Sequence, residues 1–295
     1  MKRLSLFTAL TFALAMPLAA QEAEPVTPAS IMVASAPEES VEIAPEDILI
    51  VRIADDGSDK PRDVVIQLMP PPFSQPWVEN IRALARAHWW DEASVYRVVD
   101  NWVTQWGDVS EEKALPEGMV SALADYTIPV SQLPRVSGPS LTDIYESCLD
   151  RRRERCASED LPPAARQQLE TIMRRAPMAY HYSDLAMFRL GWPLAMTRED
   201  ATAWPVHCYG HVGVARDIET TGAGSDLYAV IGHAPRQLDR NIAVAGRAIE
   251  GMEHLSTMKR GTGEAGVYDR RENDTPIEWV RLASDEEESE HWRYE

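Results

Sequence analysis

Two short runs of strand-forming residues, separated by Asp100 and Asn101, constrain the fold of this chain more than any other segment. The first run reads Val-Tyr-Arg-Val-Val and the second Trp-Val-Thr-Gln-Trp, so β-branched and aromatic residues dominate both. Asp and Asn favour tight turns, and a turn at these two residues brings Gln105 back beside Arg97. The segment therefore predicts an antiparallel hairpin that places a permanent cation next to a side-chain amide.

The N-terminal 20 residues have the composition of an export signal. Lys2 and Arg3 precede a largely apolar run that ends at Met16. The sequence Leu-Ala-Ala, which ends at Ala20, has the small residues of a cleavage site. The apolar run is shorter than the roughly 20 residues that a membrane-spanning helix needs. We therefore predict a cleaved signal peptide over residues 1–20, an exported, periplasmic protein, and no stable membrane insertion after cleavage.

The chain that remains after cleavage is strongly acidic. It keeps 27 of the 29 Lys and Arg residues against 47 Asp and Glu, a net charge of −20. Such a charge repels nucleic acid and anionic membranes, so neither is expected as a partner. All three cysteines lie in this part, and an exported protein can hold a disulfide. Three pairings are open, of which the local one between Cys148 and Cys156 leaves Cys208 free.

Five segments resemble, in the same order, the cyclophilin-type peptidyl-prolyl cis-trans isomerases. Residues 95–108 align with the family signature Phe-His-Arg-Val-Ile-Pro-Gly-Phe-Met-Ile-Gln-Gly-Gly-Asp. The identical positions are Arg97, Val98, Gln105, Gly107 and Asp108. The other similar segments are residues 78–91, 207–217, 220–231 and 238–252. The resemblance implies a mainly β fold, a closed eight-stranded antiparallel barrel with capping helices, in which residues 109–205 are an insertion.

Composition and periodicity divide the chain into a linker, a barrel domain with an insertion, and a tail. A stretch rich in Glu, Ala and Pro has no apolar period and predicts a flexible linker. Trp77, Ile81 and Leu84 recur at helical spacing and predict an amphipathic helix. Residues 140–155 and 162–175 also look helical, so the insertion is predicted to be mixed helix and loop. The boundaries are residues 21–47 for the linker, 48–284 for the barrel domain with its insertion at 109–205, and 285–295 for an acidic tail.

The resemblance also implies a function and a set of site residues. The implied reaction is rotation about Xaa-Pro bonds in proline-containing polypeptides, which requires no cofactor and no metal. Arg97 is implied as the catalytic donor to the amide nitrogen, and Gln105 as the residue that orients it. The implied substrate-binding residues are Trp102, Val103, Asp226, Tyr228, Leu238 and Ile242. The alternative for the apolar members is that they are ordinary barrel core.

Changes of polarity or charge at two of these positions keep a second function open. Asp226 replaces a Gln and Ile242 replaces a His, and an Asp at this position could pair with Arg97 in competition with the substrate. The alternative function is a low-turnover binding module or chaperone for proline-containing segments. His207 and His211 are the residue types of a zinc site, but on a strand they would not converge, so no metal site is predicted.

Overall fold

The computed structural model describes most of the predicted barrel and part of the insertion. The described residues are 41–57, 61–110, 112–119, 126–133, 182–189, 191–197, 199–218, 221–234 and 236–286, with Thr27, Ser30 and Ala34. The predicted signal peptide, the predicted helices at 140–155 and 162–175, Cys148, Cys156 and the end of the acidic tail lie outside the described residues.

Contacts divide the chain into two units, residues 1–41 with Glu295, and residues 42–294. In the first unit the Thr27 N–H donates to Ser30 Oγ at 2.9 Å, and the Ser30 N–H donates to Thr27 Oγ1 at 3.1 Å. This reciprocal pair resembles the hydrogen bonding at a helix N-terminus. All the elements named below belong to the second unit.

Strands dominate the described part of the second unit. The strands are β1 (Ile48–Ile53), β2 (Arg62–Leu68), β3 (Ser94–Val99), β4 (Val103–Gly107), β5 (Ile128–Pro129), β6 (Leu185–Arg189), β7 (Trp192–Thr197), β8 (Thr202–Pro205), β9 (His211–Val214), β10 (Leu227–Val230), β11 (Val244–Glu250) and β12 (Thr275–Leu282). The α-helices are α1 (Gln75–Arg86) and α2 (Met252–Ser256). No helix in these residues is long and apolar enough to cross a bilayer.

Eight strands form a closed barrel in the order β1, β12, β3, β4, β10, β9, β11, β2. Every neighbouring pair in it is antiparallel. The mainly β fold with a closed eight-stranded antiparallel barrel, predicted from the sequence, is confirmed. Closure leaves no unpaired barrel edge, which removes a common cause of strand-to-strand aggregation.

β1 is apolar at almost every position because both of its faces are covered. Leu49, Val51 and Ile53 belong to the main core cluster. Ile48 and Ile50 belong to another cluster, with residues of β2 and of the chain that follows β12. Alternate residues of a barrel strand face inward and outward, so one continuous apolar run serves two separate contacts.

α1 is the predicted amphipathic helix, and it packs against β11 and β12. Its buried residues are Trp77, Val78, Ile81, Leu84 and Ala85. The indole N–H of Trp77 donates to the carbonyls of Thr221 and Gly222, at 3.2 and 3.1 Å. Full burial of each large apolar side chain is worth about 1.5–3 kcal/mol, so this helix contributes substantially to the core. Its indole bond also fixes the loop before β10, which borders the site.

The folded unit begins earlier than the predicted linker boundary at residue 47. Pro45–Asp47 forms a 3₁₀ turn directly before β1. Arg82 of α1 pairs with the Asp47 carboxylate, and its Nε donates to the Glu46 carbonyl at 3.1 Å. The end of the predicted linker is therefore held against α1.

The insertion differs from its prediction. We expected helix and loop, whereas its described part contains a four-stranded antiparallel sheet in the order β5, β8, β7, β6. Trp192 and Leu194 of this sheet belong to the main core cluster of the barrel. Arg247 of β11 donates to the Gly191 carbonyl at 2.7 Å, and its guanidinium lies 4.5 Å from the centroid of the Trp192 ring. The sheet is thus packed on the barrel by apolar contacts and by arginines, since the Arg240 guanidinium also lies 4.7 Å from the centroid of the Trp204 ring in β8.

Candidate active site

The predicted hairpin is present and carries the centre of the site. β3 and β4 pair with Arg97 opposite Gln105, and Asn101 in the turn has a left-handed φ of +53°. Asn tolerates this conformation better than most residues. The pairing has one irregularity, because Tyr96 is an extra residue on β3 immediately before Arg97. A β-bulge of this kind sets two consecutive residues opposite one partner, here Tyr96 and Arg97 opposite Gln105.

Arg97 is fixed by three contacts. Its Nη1 donates to Gln105 Oε1 at 2.8 Å, and its Nε donates to the Ala265 carbonyl at 2.8 Å. Its guanidinium carbon lies 5.2 Å from the centroid of the Trp102 ring. Among the described residues Nη2 has no hydrogen-bond partner. Burial lowers the pKa of Arg97, but a guanidinium stays charged at physiological pH. The site therefore contains an oriented cation with donor capacity to spare.

A chain of hydrogen bonds runs from Arg97 to a carboxylate. Gln105 accepts from Arg97 and donates through Nε2 to the Tyr96 hydroxyl, and Tyr96 Oη donates to Asp226 Oδ1 at 3.0 Å. Ser225 Oγ donates to the other carboxylate oxygen at 3.1 Å. The sequence allowed a direct pair between Asp226 and Arg97, whereas the structure connects the two through Tyr96 and Gln105. Burial, and then the charge of Asp226, raise the pKa of Tyr96.

All the predicted site residues line one cleft beside the hairpin. The volume of the cleft is about 910 Å³, within the range of small-molecule and peptide-side-chain sites. The predicted residues in its wall are Arg97, Trp102, Val103, Gln105, Asp226, Tyr228, Leu238 and Ile242. The structure thus brings together both predicted catalytic residues and all six predicted binding residues. Their roles in binding and catalysis remain predictions.

The apolar residues of the cleft form a cluster of their own. Val103, Tyr228 and Leu238 are buried together with Val230 and Ala234, and this cluster is separate from the main barrel core. Half-buried side chains packed against it include Trp102 and Ile242. These residues therefore form an apolar wall of the cleft, and they are separate from the main core cluster of the barrel.

A buried polar network holds the hydroxyl of Tyr228. This hydroxyl lies 2.9 Å from His207 Nε2, and His207 Nδ1 lies 2.9 Å from Asp239 Oδ1. Arg236 Nη1 donates to the second oxygen of Asp239 at 3.1 Å. The simplest assignment has His207 donating from Nδ1 and accepting the Tyr228 proton at Nε2. Burial raises the pKa of Tyr228, so its hydroxyl stays protonated.

Gly213 leaves the space that the Tyr228 ring occupies. A Cβ at this position would lie 2.3 Å from the phenol carbon that bears the hydroxyl. Any other residue at 213 would force the tyrosine to move. The ring is thus fixed by the bare glycine backbone on one side and by His207 at its hydroxyl.

Several residues of the cleft were not found from the sequence. Tyr96 and Ser225 complete the hydrogen-bond chain, and the only signal for them was that they lie within the similar segments 95–108 and 220–231. Lys113 and Met119, at the start of the insertion, also line the cleft. Lys113 lies 5.4 Å from the centroid of the Trp89 ring. No motif marked these insertion residues, because their place in the cleft depends on how the insertion returns to the barrel.

Comparisons with known proteins found one matching family model and several similar solved structures. A family model described as cyclophilin type peptidyl-prolyl cis-trans isomerase/CLD matches residues 61–284. The solved structure of cyclophilin AquaCyp293 from Hirschia baltica aligns with a TM-score of 0.57 and 16% identity, covering 90% of this chain and 83% of that chain. A cyclophilin type peptidyl-prolyl cis-trans isomerase from Cryptosporidium parvum, crystallised with the dipeptide Ala-Pro, aligns with a TM-score of 0.39 and 10% identity, covering 79% and 98%. No curated protein matches the chain.

The fold and the site are thus those of a closed eight-stranded antiparallel barrel with an arginine in the wall of a cleft. Because the family model spans well over half of the sequence, the chain belongs to the cyclophilin-type peptidyl-prolyl cis-trans isomerases. It is a divergent member, as the low identity to the Hirschia baltica structure indicates. Its activity is peptidyl-prolyl cis-trans isomerisation.

Proposed function

We propose that the cleft accelerates rotation about Xaa-Pro bonds of exported polypeptides, with Arg97 and Gln105 as its catalytic residues. Rotation about a peptide bond faces a barrier of about 20 kcal/mol because amide resonance must be broken. In the twisted state the lone pair localises on the proline nitrogen, and a hydrogen-bond donor to that nitrogen stabilises it. No covalent bond to the protein is needed, so the reaction needs neither nucleophile nor cofactor.

The observation that carries the proposal is the oriented Arg97 beside an independent apolar cluster. The Arg97 to Gln105 bond of 2.8 Å fixes the cation, and Val103, Tyr228 and Leu238 supply an apolar surface for a proline ring. A ring bound there excludes water from the amide, which favours the less polar twisted form. The two features that the proposed reaction requires, a hydrogen-bond donor and an apolar surface, both line this cleft.

Arg97 alone does not account for the rate. A millionfold acceleration needs about 8 kcal/mol, and one hydrogen bond to a charged group contributes about 1.5–3 kcal/mol. The remainder must come from binding the twisted form more tightly than either planar form, and from removing water. The apolar cluster is therefore as important to the proposal as the cation.

The test is the loss of turnover on removing the cation. Arg97→Ala should lower kcat/KM for an Xaa-Pro peptide in a protease-coupled assay by about ten- to hundredfold, the value of one charge-assisted hydrogen bond. Arg270→Ala is the matched control, because Arg270 is exposed, pairs with Glu272 and is not in the cleft wall. Equal activity of Arg97→Ala and the parent protein would contradict the assignment.

A low-turnover binding module remains the second candidate, and Asp226 and Ile242 are the residues that favour it. Ile242 packs against the apolar cluster in place of a polar ring. Peptide titration of the wild-type protein separates the two functions. Saturable peptide binding without measurable turnover would support the binding module and contradict the enzyme.

Export is proposed from the sequence of residues 1–20. A basic start, an apolar run and a small-residue exit are the features of a cleaved signal. Proline-containing polypeptides in the periplasm would then be the substrates. The mature protein should begin at or near Gln21, which the intact mass of the exported product measures. A mass that retains Met1 would refute the export.

A further inference from the structure

We propose that Tyr96 is a positioning residue, which Asp226 holds so that it fixes the amide orientation of Gln105 and presents the amide oxygen to Arg97. This inference rests on the proposed function, because it assigns Tyr96 and Asp226 a part in isomerisation. Neither residue matches the family signature at its position. The role is read from the hydrogen bonds of this chain.

The β-bulge makes the arrangement possible. Neighbouring residues of a regular strand point to opposite faces of the sheet. Here the extra residue on β3 lets Tyr96 and Arg97 both reach the side chain of Gln105. Gln105 is thereby held at both ends of its amide, with Arg97 on the oxygen and the Tyr96 hydroxyl on the nitrogen.

An amide held only by a hydroxyl has two orientations, because a hydroxyl both donates and accepts. If the Tyr96 hydroxyl donated to Gln105, the amide oxygen would turn to Tyr96 and the NH₂ group would turn to Arg97. Two donors would then face each other, and the guanidinium would lose its acceptor. The direction of the Tyr96 hydroxyl therefore decides whether Arg97 is held in place.

The Asp226 carboxylate sets that direction. Tyr96 Oη lies 3.0 Å from Asp226 Oδ1, and an ionised carboxylate is an acceptor only. The phenol proton is therefore committed to Asp226, which leaves the oxygen of the hydroxyl to accept from Gln105. Ser225 Oγ donates to the other carboxylate oxygen at 3.1 Å and holds the group in place.

Gly107 provides the space for the carboxylate. A Cβ at Gly107 would lie 2.0 Å from Asp226 Oδ1, the oxygen that accepts from Tyr96. The glycine at the end of β4 therefore lets the carboxylate pack directly on the backbone of the strand that carries Gln105. Hairpin, bulge and glycine together build one continuous chain of donors, from the Arg97 cation to the Asp226 anion.

A double-mutant cycle distinguishes positioning from a general structural effect. Tyr96→Phe removes only the hydroxyl and should lower kcat about tenfold with KM changed less than about twofold. In a Gln105→Ala background the same change should alter kcat less than about twofold, because Tyr96 acts through Gln105. Tyr182→Phe is the control, since Tyr182 is exposed and not in the cleft wall.

A second variant tests the direction of the hydroxyl. Asp226→Asn keeps the size of the side chain but offers either an oxygen or an NH₂ group to Tyr96, so the bias on the Gln105 amide is lost. We expect a loss in kcat of about three- to tenfold, again absent in the Gln105→Ala background. A rise in kcat would show instead that Asp226 competes with the substrate, and would overturn the inference.

The outcomes separate this inference from the proposed function. An active wild-type protein with full activity in Tyr96→Phe would refute the positioning role alone. Equal losses from Tyr96→Phe with and without Gln105 would also refute it, because the effect would not pass through the amide. An inactive wild-type protein would refute the proposed function, and the positioning role with it.

Discussion

His211 shows how a single buried group ties stability to pH. It is 6% exposed at the start of β9, and its ring lies 5.8 Å from that of Trp192. Burial lowers the pKa of His211 to about 4, and the nearby charge of Arg247 acts in the same direction. The imidazole is therefore neutral in the folded protein at neutral pH, and it contacts the second sheet.

The sign of the effect follows from the two pKa values. The unfolded chain binds a proton at His211 below its ordinary pKa of about 6.5, whereas the folded protein binds it only near 4. Stability from this group is complete above pH 6.5 and is lost as the pH falls to about 4, by about 3 kcal/mol. Urea unfolding of His211→Gln should show a smaller decline over this range than the parent. Parallel declines would show that other groups dominate.

At the residue level, the sequence predicted the residues of the cleft but not most of their hydrogen-bond partners. Arg97 and Gln105 could be predicted because a local hairpin sets their pairing, and hairpin registers follow from turn residues. The Tyr228 to His207 contact joins a residue of β10 to one in the loop between β8 and β9, so it could not be predicted in this way. The pairing of His207 with Asp239 was likewise not indicated by any motif.

At the level of elements, local sequence signals predicted a hairpin and a helix correctly, but they did not predict the strand pairing within the insertion. The β3 to β4 hairpin and α1 were both predicted, because turn chemistry and helical period lie within a few residues. The sheet of the insertion was missed. Its strands contain Pro129, Pro193 and Pro205, and proline disfavours strands since it lacks an N–H for pairing. β5 also pairs with β8, which lies far along the chain beyond β6 and β7.

The attachment of the second sheet gives an element-level prediction. Arg247 joins Gln67 of β2, the Gly191 carbonyl and the Trp192 ring. Arg247→Ala should lower the free energy of unfolding by about 1–3 kcal/mol, because two hydrogen bonds and a cation–π contact are lost. Amide hydrogen exchange should increase in β7 more than in β1.

The exposed Arg270 supplies the control for this prediction. Its pair with Glu272 lies at the surface, where ion pairs contribute little. Arg270→Ala should therefore change the free energy of unfolding by less than about 0.5 kcal/mol. Equal exchange rates in β7 of Arg247→Ala and the parent would show that the apolar contacts alone hold the sheet.

At the scale of the whole molecule, the main core and the cleft cluster are separate. The barrel interior and α1 share one apolar cluster, whereas the apolar wall of the cleft forms another. Arg97 belongs to neither cluster, so we expect Arg97→Ala to leave the apolar contacts of both in place. A change in the activity of an Arg97 variant can therefore be measured on folded protein.

The most direct test of the central claim is NMR exchange spectroscopy on an Xaa-Pro peptide with substoichiometric protein. The spectra report the cis and trans populations and the rate of exchange between them, while the peptide shifts report binding. The account predicts that the wild-type protein accelerates exchange without changing the populations. Arg97→Ala should bind the peptide and accelerate exchange at least about tenfold less. Peptide binding without acceleration by the wild-type protein, or unchanged acceleration by Arg97→Ala, would contradict the account.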